Sequence, residues 1–205
     1  MERIRPSPCV LIIGKRETGK TTLVREIIRN LTDVSPADVT VFCSNPEEYD
    51  GMRTFTGFDE VECDGIIKAQ RQAFLDEKCG DRVSRKLIVL DGFAETNIRS
   101  RPVEQLFTNG RFLRIGLIVT MQYPAMPAKY RANTDVVFAF REGVASTKSL
   151  LYKNFFTVFP TEEEFVETFD RVTSQPHTCI VFDNCCQSNE VPDCVLTYRV
   201  EKAGT

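Results

Sequence analysis

Cys9-Val10-Leu11-Ile12-Ile13-Gly14-Lys15-Arg16-Glu17-Thr18-Gly19-Lys20-Thr21-Thr22-Leu23 is the stretch whose reading decides the fold of this chain. Gly14 to Thr21 satisfies G-x-x-x-x-G-K-[ST], the phosphate-binding P-loop, with an apolar strand-like run leading in and a helical pattern leading out. Gly14 and Gly19 let the backbone curl, so that the N–H groups of Lys15, Arg16, Glu17 and Thr18 point inward as an anion nest. A helix beginning near Gly19 adds its positive dipole end and unpaired amides, through Thr22, to the same spot. Lys20 brings a positive charge to the outer phosphates, and the Thr21 hydroxyl is placed to ligate a magnesium ion bridging them.

Outward from this motif, strands alternate with helices. The helix after the loop carries Leu23, Ile27 and Leu31 on one stripe and is expected to stop before Pro36. Residues 38–44 predict a second strand, and 45–58, with two glycines and a proline, predict a loop or short excursion. A helix is expected over 65–78, a fully buried strand over 86–92, and a helix within 97–110 with Pro102 in its first turn. Residues 114–120 and 135–140 predict two more strands, followed by helices over 144–156 and 162–172, the latter capped by Thr161. Two apolar runs, 178–182 and 194–200, predict an edge hairpin. The alternation implies βαβ units in one α/β domain over residues 1–205, a mainly parallel sheet between helices.

Composition narrows the class. The chain has 205 residues, 42% apolar and 27% charged, ordinary values for a globular protein with its own core. No window approaches eighteen apolar residues in a row, so no membrane span is expected. Met1 to Pro6 holds no apolar stretch of signal-peptide length, so the chain is expected to stay where it is made. Eight cysteines lack any C-x-x-C spacing, which points to reduced thiols rather than a zinc site. His177, the single histidine, reads as a residue at a strand start. A net charge of −3 disfavours whole-surface binding to nucleic acid but allows a local basic patch.

The strand Leu87-Ile88-Val89-Leu90-Asp91 ends in an acid at the carboxyl edge of the sheet, where such sheets bind ligands. Asp91 can there hold the metal through a water molecule, as a Walker-B acid does; otherwise it merely starts the turn with Gly92. Thr120 and Gln122 close the next strand at the same edge, and Gln122 is placed either to orient an attacking water or simply to end a strand. Hydrolysis also needs an acid that positions water. Gly92 stands where a second acid often follows the Walker-B aspartate, leaving Glu95 or Glu17 as substitutes. Arg111, Arg114 and Arg131 are the arginines available to stabilise transition-state charge, within one subunit or across a boundary.

Taken together, the P-loop, Leu87 to Asp91, Asn109-Gly110-Arg111, Gln122-Tyr123, Tyr130-Arg131-Ala132-Asn133-Thr134-Asp135 and Tyr152-Lys153-Asn154-Phe155-Phe156 resemble the poxvirus-type DNA-packaging ATPases of large eukaryotic DNA viruses, within the FtsK–HerA superfamily. The resemblance spans about Cys9 to Asp183. It implies an additional-strand, RecA-like P-loop ATPase core, assembled as a homo-oligomeric ring, that uses ATP and Mg2+ to drive double-stranded DNA into a capsid through a capsid or portal component. It implies location at the viral assembly site in the host cytoplasm or in the virion; because the chain begins almost at the P-loop strand, an N-terminal docking appendage is expected to be absent or minimal. Lys20 and Thr21 take the Walker-A roles, Asp91 the Walker-B role, Gln122 the sensor role, and Arg111 or Arg131 the finger. Arg99, Arg101, Arg111 and Arg114 crowd one segment and are candidates for sequence-blind phosphate contacts, or else a solvated loop. A small P-loop kinase with Arg99 and Arg101 in a lid, and a nucleotide-binding scaffold of weak hydrolysis, are the alternatives.

Overall fold

The computed structural model describes residues 4–76, 83–92 and 97–201. Among these, one sheet runs in the order β3-β2-β4-β5-β1-β6-β7-β8, with β1 Cys9–Ile13, β2 Val39–Cys43, β3 Arg53–Thr56, β4 Lys86–Asp91, β5 Ile115–Met121, β6 Val136–Phe140, β7 Thr178–Asp183 and β8 Val195–Arg199. Strands β1 to β6 pair in parallel, β7 runs antiparallel to β6, and β8 antiparallel to β7 at the edge, forming the expected hairpin. Strand β5 lies between the P-loop strand β1 and the acid-tipped strand β4.

The central strands are buried on both faces, as their unbroken apolar runs require. Val10 and Ile12 of β1 face helix α1, Lys20–Asn30, which buries Leu23, Val24, Ile27 and Ile28 against them. Each such side chain contributes about 1.5–3 kcal/mol of burial. Leu11 and Ile13 point the other way, into a core with α2 (Glu60–Asp76), α3 (Arg101–Asn109), α4 (Ala128–Arg131), α5 (Ala145–Phe155) and α6 (Glu162–Thr173). A last short turn of helix, α7 (Val191–Cys194), precedes β8. The Thr161 side chain accepts from the Glu164 amide at 3.2 Å, so α6 starts on the expected cap, with Glu162, Glu163 and Glu164 at its positive end. Pro102 lies in the first turn of α3, also as expected.

Two local expectations change. Residues 45–58 are more than a loop: a 3-10 turn, Pro46–Glu48, leads to β3, an edge strand in parallel register with β2 (Thr40 opposite Arg53). This strand is short and partly exposed, so its alternation is too brief to read, and the two glycines taken as loop marks, Gly51 and Gly57, bracket it at φ 76° and 92°. Helix α2 begins five residues earlier than Gly65, because the Asp59 side chain accepts from the Glu62 amide and starts it there. The expected helix end near Gly80 lies outside the described residues.

Candidate active site

The P-loop leaves β1 at Gly14, whose amide donates to Met121 O at 3.0 Å and so ties the loop to the end of β5. A Cβ at Gly14 would lie 2.7 Å from Thr18 Oγ1 and 2.8 Å from Phe140 Cβ, so only glycine fits. Glu17 and Gly19 both adopt positive φ, 63° and 104°, the curl that turns successive amides inward. Thr18 Oγ1 donates to Lys15 O at 2.9 Å, closing the turn. Lys20 Nζ rests on Gly14 O at 2.8 Å and Lys15 O at 2.7 Å, at the mouth of the loop. Lys15 itself reaches outward to the buried Glu142 at 2.7 Å. Thr22 follows in the first turn of α1.

His177 precedes β7, as expected of a strand-start residue, and its side chain faces the loop: Nδ1 lies 3.3 Å from where a Cβ on Gly19 would sit.

Across the loop from Lys20, Asp91 ends β4 and gathers hydroxyls. Thr21 Oγ1 donates to Asp91 Oδ2 at 2.9 Å, Tyr49 Oη to the same oxygen at 2.7 Å, and Thr120 Oγ1 to Oδ1 at 2.7 Å. Thr120 also accepts from the Gly92 amide at 2.9 Å, fixing the turn after the acid. Burial, then the negative charge of Asp91, pushes the Tyr49 phenol well above its usual range, so it stays a donor. Thr21, Asp91, Gly92 and Thr120 line a cleft of about 240 Å³ together with Arg16, Glu17, Lys20, Ser44, Asn45, Glu48, Met121 and Gln122.

The Thr21 hydroxyl and Asp91 carboxylate suit a hard cation such as Mg2+, which accepts few protein oxygens and completes its shell with phosphate and water. Among the described residues no set of three or more His, Cys, Asp or Glu gathers into a self-sufficient cage, so a cation here would share its ligands with a bound phosphate chain.

Thus the chain brings together Gly14 to Thr22, Asp91, Thr120 and Gln122. Glu95 lies outside the described residues. The two finger candidates do not line the cleft. Arg111, between α3 and β5, is at the opposite, amino edge of the sheet, ion-paired with the buried Asp135, whose other oxygen accepts from the Cys9 amide at 2.7 Å. Cys185 Sγ donates to Asp135 Oδ1 at 3.0 Å. Arg131 ends α4, donates from Nη1 to Met126 O at 2.5 Å, and borders an open groove with Arg99, Lys129 and Asn154. Arg99 and Arg101 lie at the start of α3 and Arg111 and Arg114 beyond its end, so crowding in sequence becomes separation by the length of that helix.

Sequence reasoning missed Tyr49 and Glu48. The available signal was topological: β2 pairs with β4 with Cys43 opposite Asp91, so whatever follows β2 emerges beside the acid.

A P-loop opening into a helix, an acid-tipped strand, and an extra strand between them define a P-loop NTPase fold of the additional-strand kind. The chain belongs to the same family as uncharacterized protein 088R of Invertebrate iridescent virus 3: 31% identical over 204 residues, covering 93% of this chain and 74% of that one. Uncharacterized protein 075L of Invertebrate iridescent virus 6 is 28% identical over 188 residues, 88% of this chain and 72% of its own. Among solved structures, the fold is similar to the genome packaging NTPase B204 from Sulfolobus turreted icosahedral virus 2, in complex with ATP-gammaS. The TM-score is 0.69 at 10% identity over 97% of this chain and 100% of that one, a likeness of fold. No family model matches the chain. The fold expected from the sequence, a three-layer P-loop NTPase with a mainly parallel sheet between helices, is the fold found, and the relatives are proteins of large DNA viruses. Among the described residues no helix is long and apolar enough to cross a membrane.

Proposed function

We propose that this protein is a magnesium-dependent ATPase that moves viral double-stranded DNA into the capsid, acting as a homo-oligomeric ring at the assembly site in the host cytoplasm or in the virion. The observation that carries the nucleotide half is the Asp91 carboxylate 2.9 Å from the P-loop hydroxyl of Thr21, across a cleft from Lys20. The packaging half is supported by a fold similar to the genome packaging NTPase B204 across nearly the whole chain, and by relatives from large DNA viruses.

The chain's own groups divide the work. The amides from Lys15 to Thr22 hold the phosphates, and Gly14 and Gly19 permit the bend that aims them. Lys20 exchanges the carbonyls of Gly14 and Lys15 for the outer phosphate oxygens, where its charge opposes the negative charge that grows as the bond breaks. Thr21 and Asp91 would hold Mg2+, which would screen the negative charge of the phosphate chain. Thr120 and Tyr49 fix the Asp91 carboxylate, and Gln122 at the rim of the cleft orients the attacking water. Arginines of a neighbouring subunit, Arg131 or Arg111, complete the site across a ring interface, and a capsid or portal component anchors the ring. DNA is gripped by phosphate contacts that carry no sequence information.

The test is phosphate release from ATP and Mg2+ with and without long duplex DNA, beside a native mass measurement. A translocating ring gives DNA-stimulated turnover and a multimer. Turnover that needs a small acceptor and ignores DNA identifies a kinase instead, and ATP binding with neither stimulation nor turnover identifies a scaffold. Lys20→Ala abolishes nucleotide binding or turnover; unchanged turnover in that variant removes the P-loop from the chemistry.

A further inference from the structure

Resting on that nucleotide-hydrolysing reading, we infer that Glu48 is the general base, the acid that takes the proton of the attacking water. Gly92 leaves no carboxylate directly after Asp91, and its φ of 92° makes any side chain there strained. Among the described residues, the acids that line the cleft are Glu17, Glu48 and Asp91. Asp91 already holds the hydroxyls of Thr21, Tyr49 and Thr120 and faces the cation position. Glu17 stands on the exposed crest of the P-loop, on the same backbone that cradles the phosphates. Glu48 alone of the three comes from the facing wall.

Its position follows from the sheet. Strand β2 runs beside β4, Cys43 opposite Asp91, so the turn after β2 emerges at the tip of the acid-bearing strand. Pro46 sets the first position of the 3-10 turn Pro46–Glu48, and the Tyr49 amide closes it on Pro46 O at 3.0 Å. Tyr49, 2% exposed, then pins the turn to Asp91 through its hydroxyl. Asn45 Nδ2 donates to Glu48 Oε1 at 3.1 Å and holds the carboxylate over the cleft. The base is therefore preorganised by the same tyrosine that steadies the metal-side aspartate. The Cys43 thiol beneath is pushed up by burial first, then by the charge of Asp91, with Glu48 adding to it, as expected where both carboxylates converge.

The step balances without any further reagent. The water oxygen bonds to the γ-phosphorus as its proton passes to the Glu48 carboxylate. The bond from that phosphorus to the bridging oxygen breaks with its electron pair, leaving ADP. The proton then leaves Glu48 for phosphate or solvent. A positioned base of this kind contributes roughly 10²- to 10⁴-fold.

Glu48→Gln is the test, with Glu95→Gln made in parallel. The expected result is a fall in kcat of roughly 10²-fold or more, with affinity for a fluorescent ATP analogue and thermal midpoint close to wild type. Nucleotide recovered from the quenched complex is then ATP, where wild type yields ADP. Glu48→Asp keeps a carboxylate and recovers part of the rate. Glu48→Gln hydrolysing ATP within threefold of wild type overturns the inference while leaving the ATPase reading intact, and so does full loss in Glu95→Gln with turnover kept in Glu48→Gln. A wild-type protein that binds ATP but does not hydrolyse it overturns the ATPase reading itself.

Discussion

Asp91 at the carboxyl edge of the sheet and Asp135 at its amino edge both collect hydrogen-bond donors, but of different kinds. Asp91 is partly exposed and holds neutral hydroxyls, from Thr21, Tyr49 and Thr120. Asp135 is 4% exposed and holds a backbone amide, a thiol and the guanidinium of Arg111. Hydroxyls can turn and accept a hydrated cation in their midst. An amide and an ion-paired guanidinium satisfy the carboxylate within the fold. On the proposed reading the first aspartate serves a ligand; the second joins β1, β6, the loop before β5 and, through Cys185, the segment after β7.

The sharpest way to break this comparison is to neutralise each acid in turn. Asp91→Asn is expected to lower ATP turnover on the order of 10²–10³-fold, as removal of a preorganised electrostatic group does. Its thermal midpoint stays close to wild type, because the described groups around Asp91 include no cation paired with it and its hydroxyl partners can turn to meet an amide. Phosphate release and a thermal melt check both halves, and a large drop in stability would make Asp91 structural. Asp135→Ala is expected to do the reverse. It strands the Cys9 amide and the guanidinium, costing about 2–3 kcal/mol after discounting for the half-exposed Arg111. For a domain of this size that lowers the midpoint by roughly 4–12 °C. A melt unchanged in Asp135→Ala would leave Arg111 open as a residue held for a neighbour rather than for the fold.

The two aspartates were unequally legible. Asp91 could be read because a buried apolar run ending in an acid has few explanations, and the P-loop upstream supplied the rest. Asp135 was read only as the start of a strand and as part of a resemblance, since nothing local marks an acid before a strand as buried. The ion pair of Asp135 with Arg111 was hidden for the same reason: the two are 24 residues apart and meet only once β5, β1 and β6 lie side by side. Tyr49 and Glu48 were hidden because strand β3, short and polar, disguised the whole 45–58 segment as a loop. Local chemistry travels in the sequence; pairings made by strand order do not.

Thr120 sharpens the contrast at smaller scale. Its hydroxyl donates to Asp91 and accepts from the Gly92 amide, so Thr120→Val keeps the shape and removes both bonds. An acid that must only hold hydroxyls loosely should survive this change with modest damage. The expected outcome is a fall in turnover of about tenfold, equivalent to about 1.4 kcal/mol, with stability lowered by about 1 kcal/mol for the stranded amide. Steady-state turnover and a denaturant melt measure the two. Collapse of turnover to the level of Asp91→Asn would mean that Thr120 itself reaches the phosphate chain.

A third carboxylate, Glu142, stands between the two cases. Like Asp135 it is buried, its side chain 8% exposed, but its cation is Lys15 of the P-loop, 53% exposed and 2.7 Å away. Burial alone would raise its pKa; the bond from Lys15 and the amides of Val144 and Gly143 outweigh that and hold it below the usual glutamate value. A carboxylate lowered in the folded state stabilises the fold above its unfolded value, near 4.3, and that contribution fades as pH falls through the lower, folded one. Glu142→Gln is therefore expected to cost under about 1 kcal/mol at pH 7, given the exposed lysine. The gap between the melts of wild type and variant should close as the pH is taken below about 4.3. A gap that stays constant down to that range would show the residue acting by packing, with the ion pair contributing nothing to the anchoring of the loop.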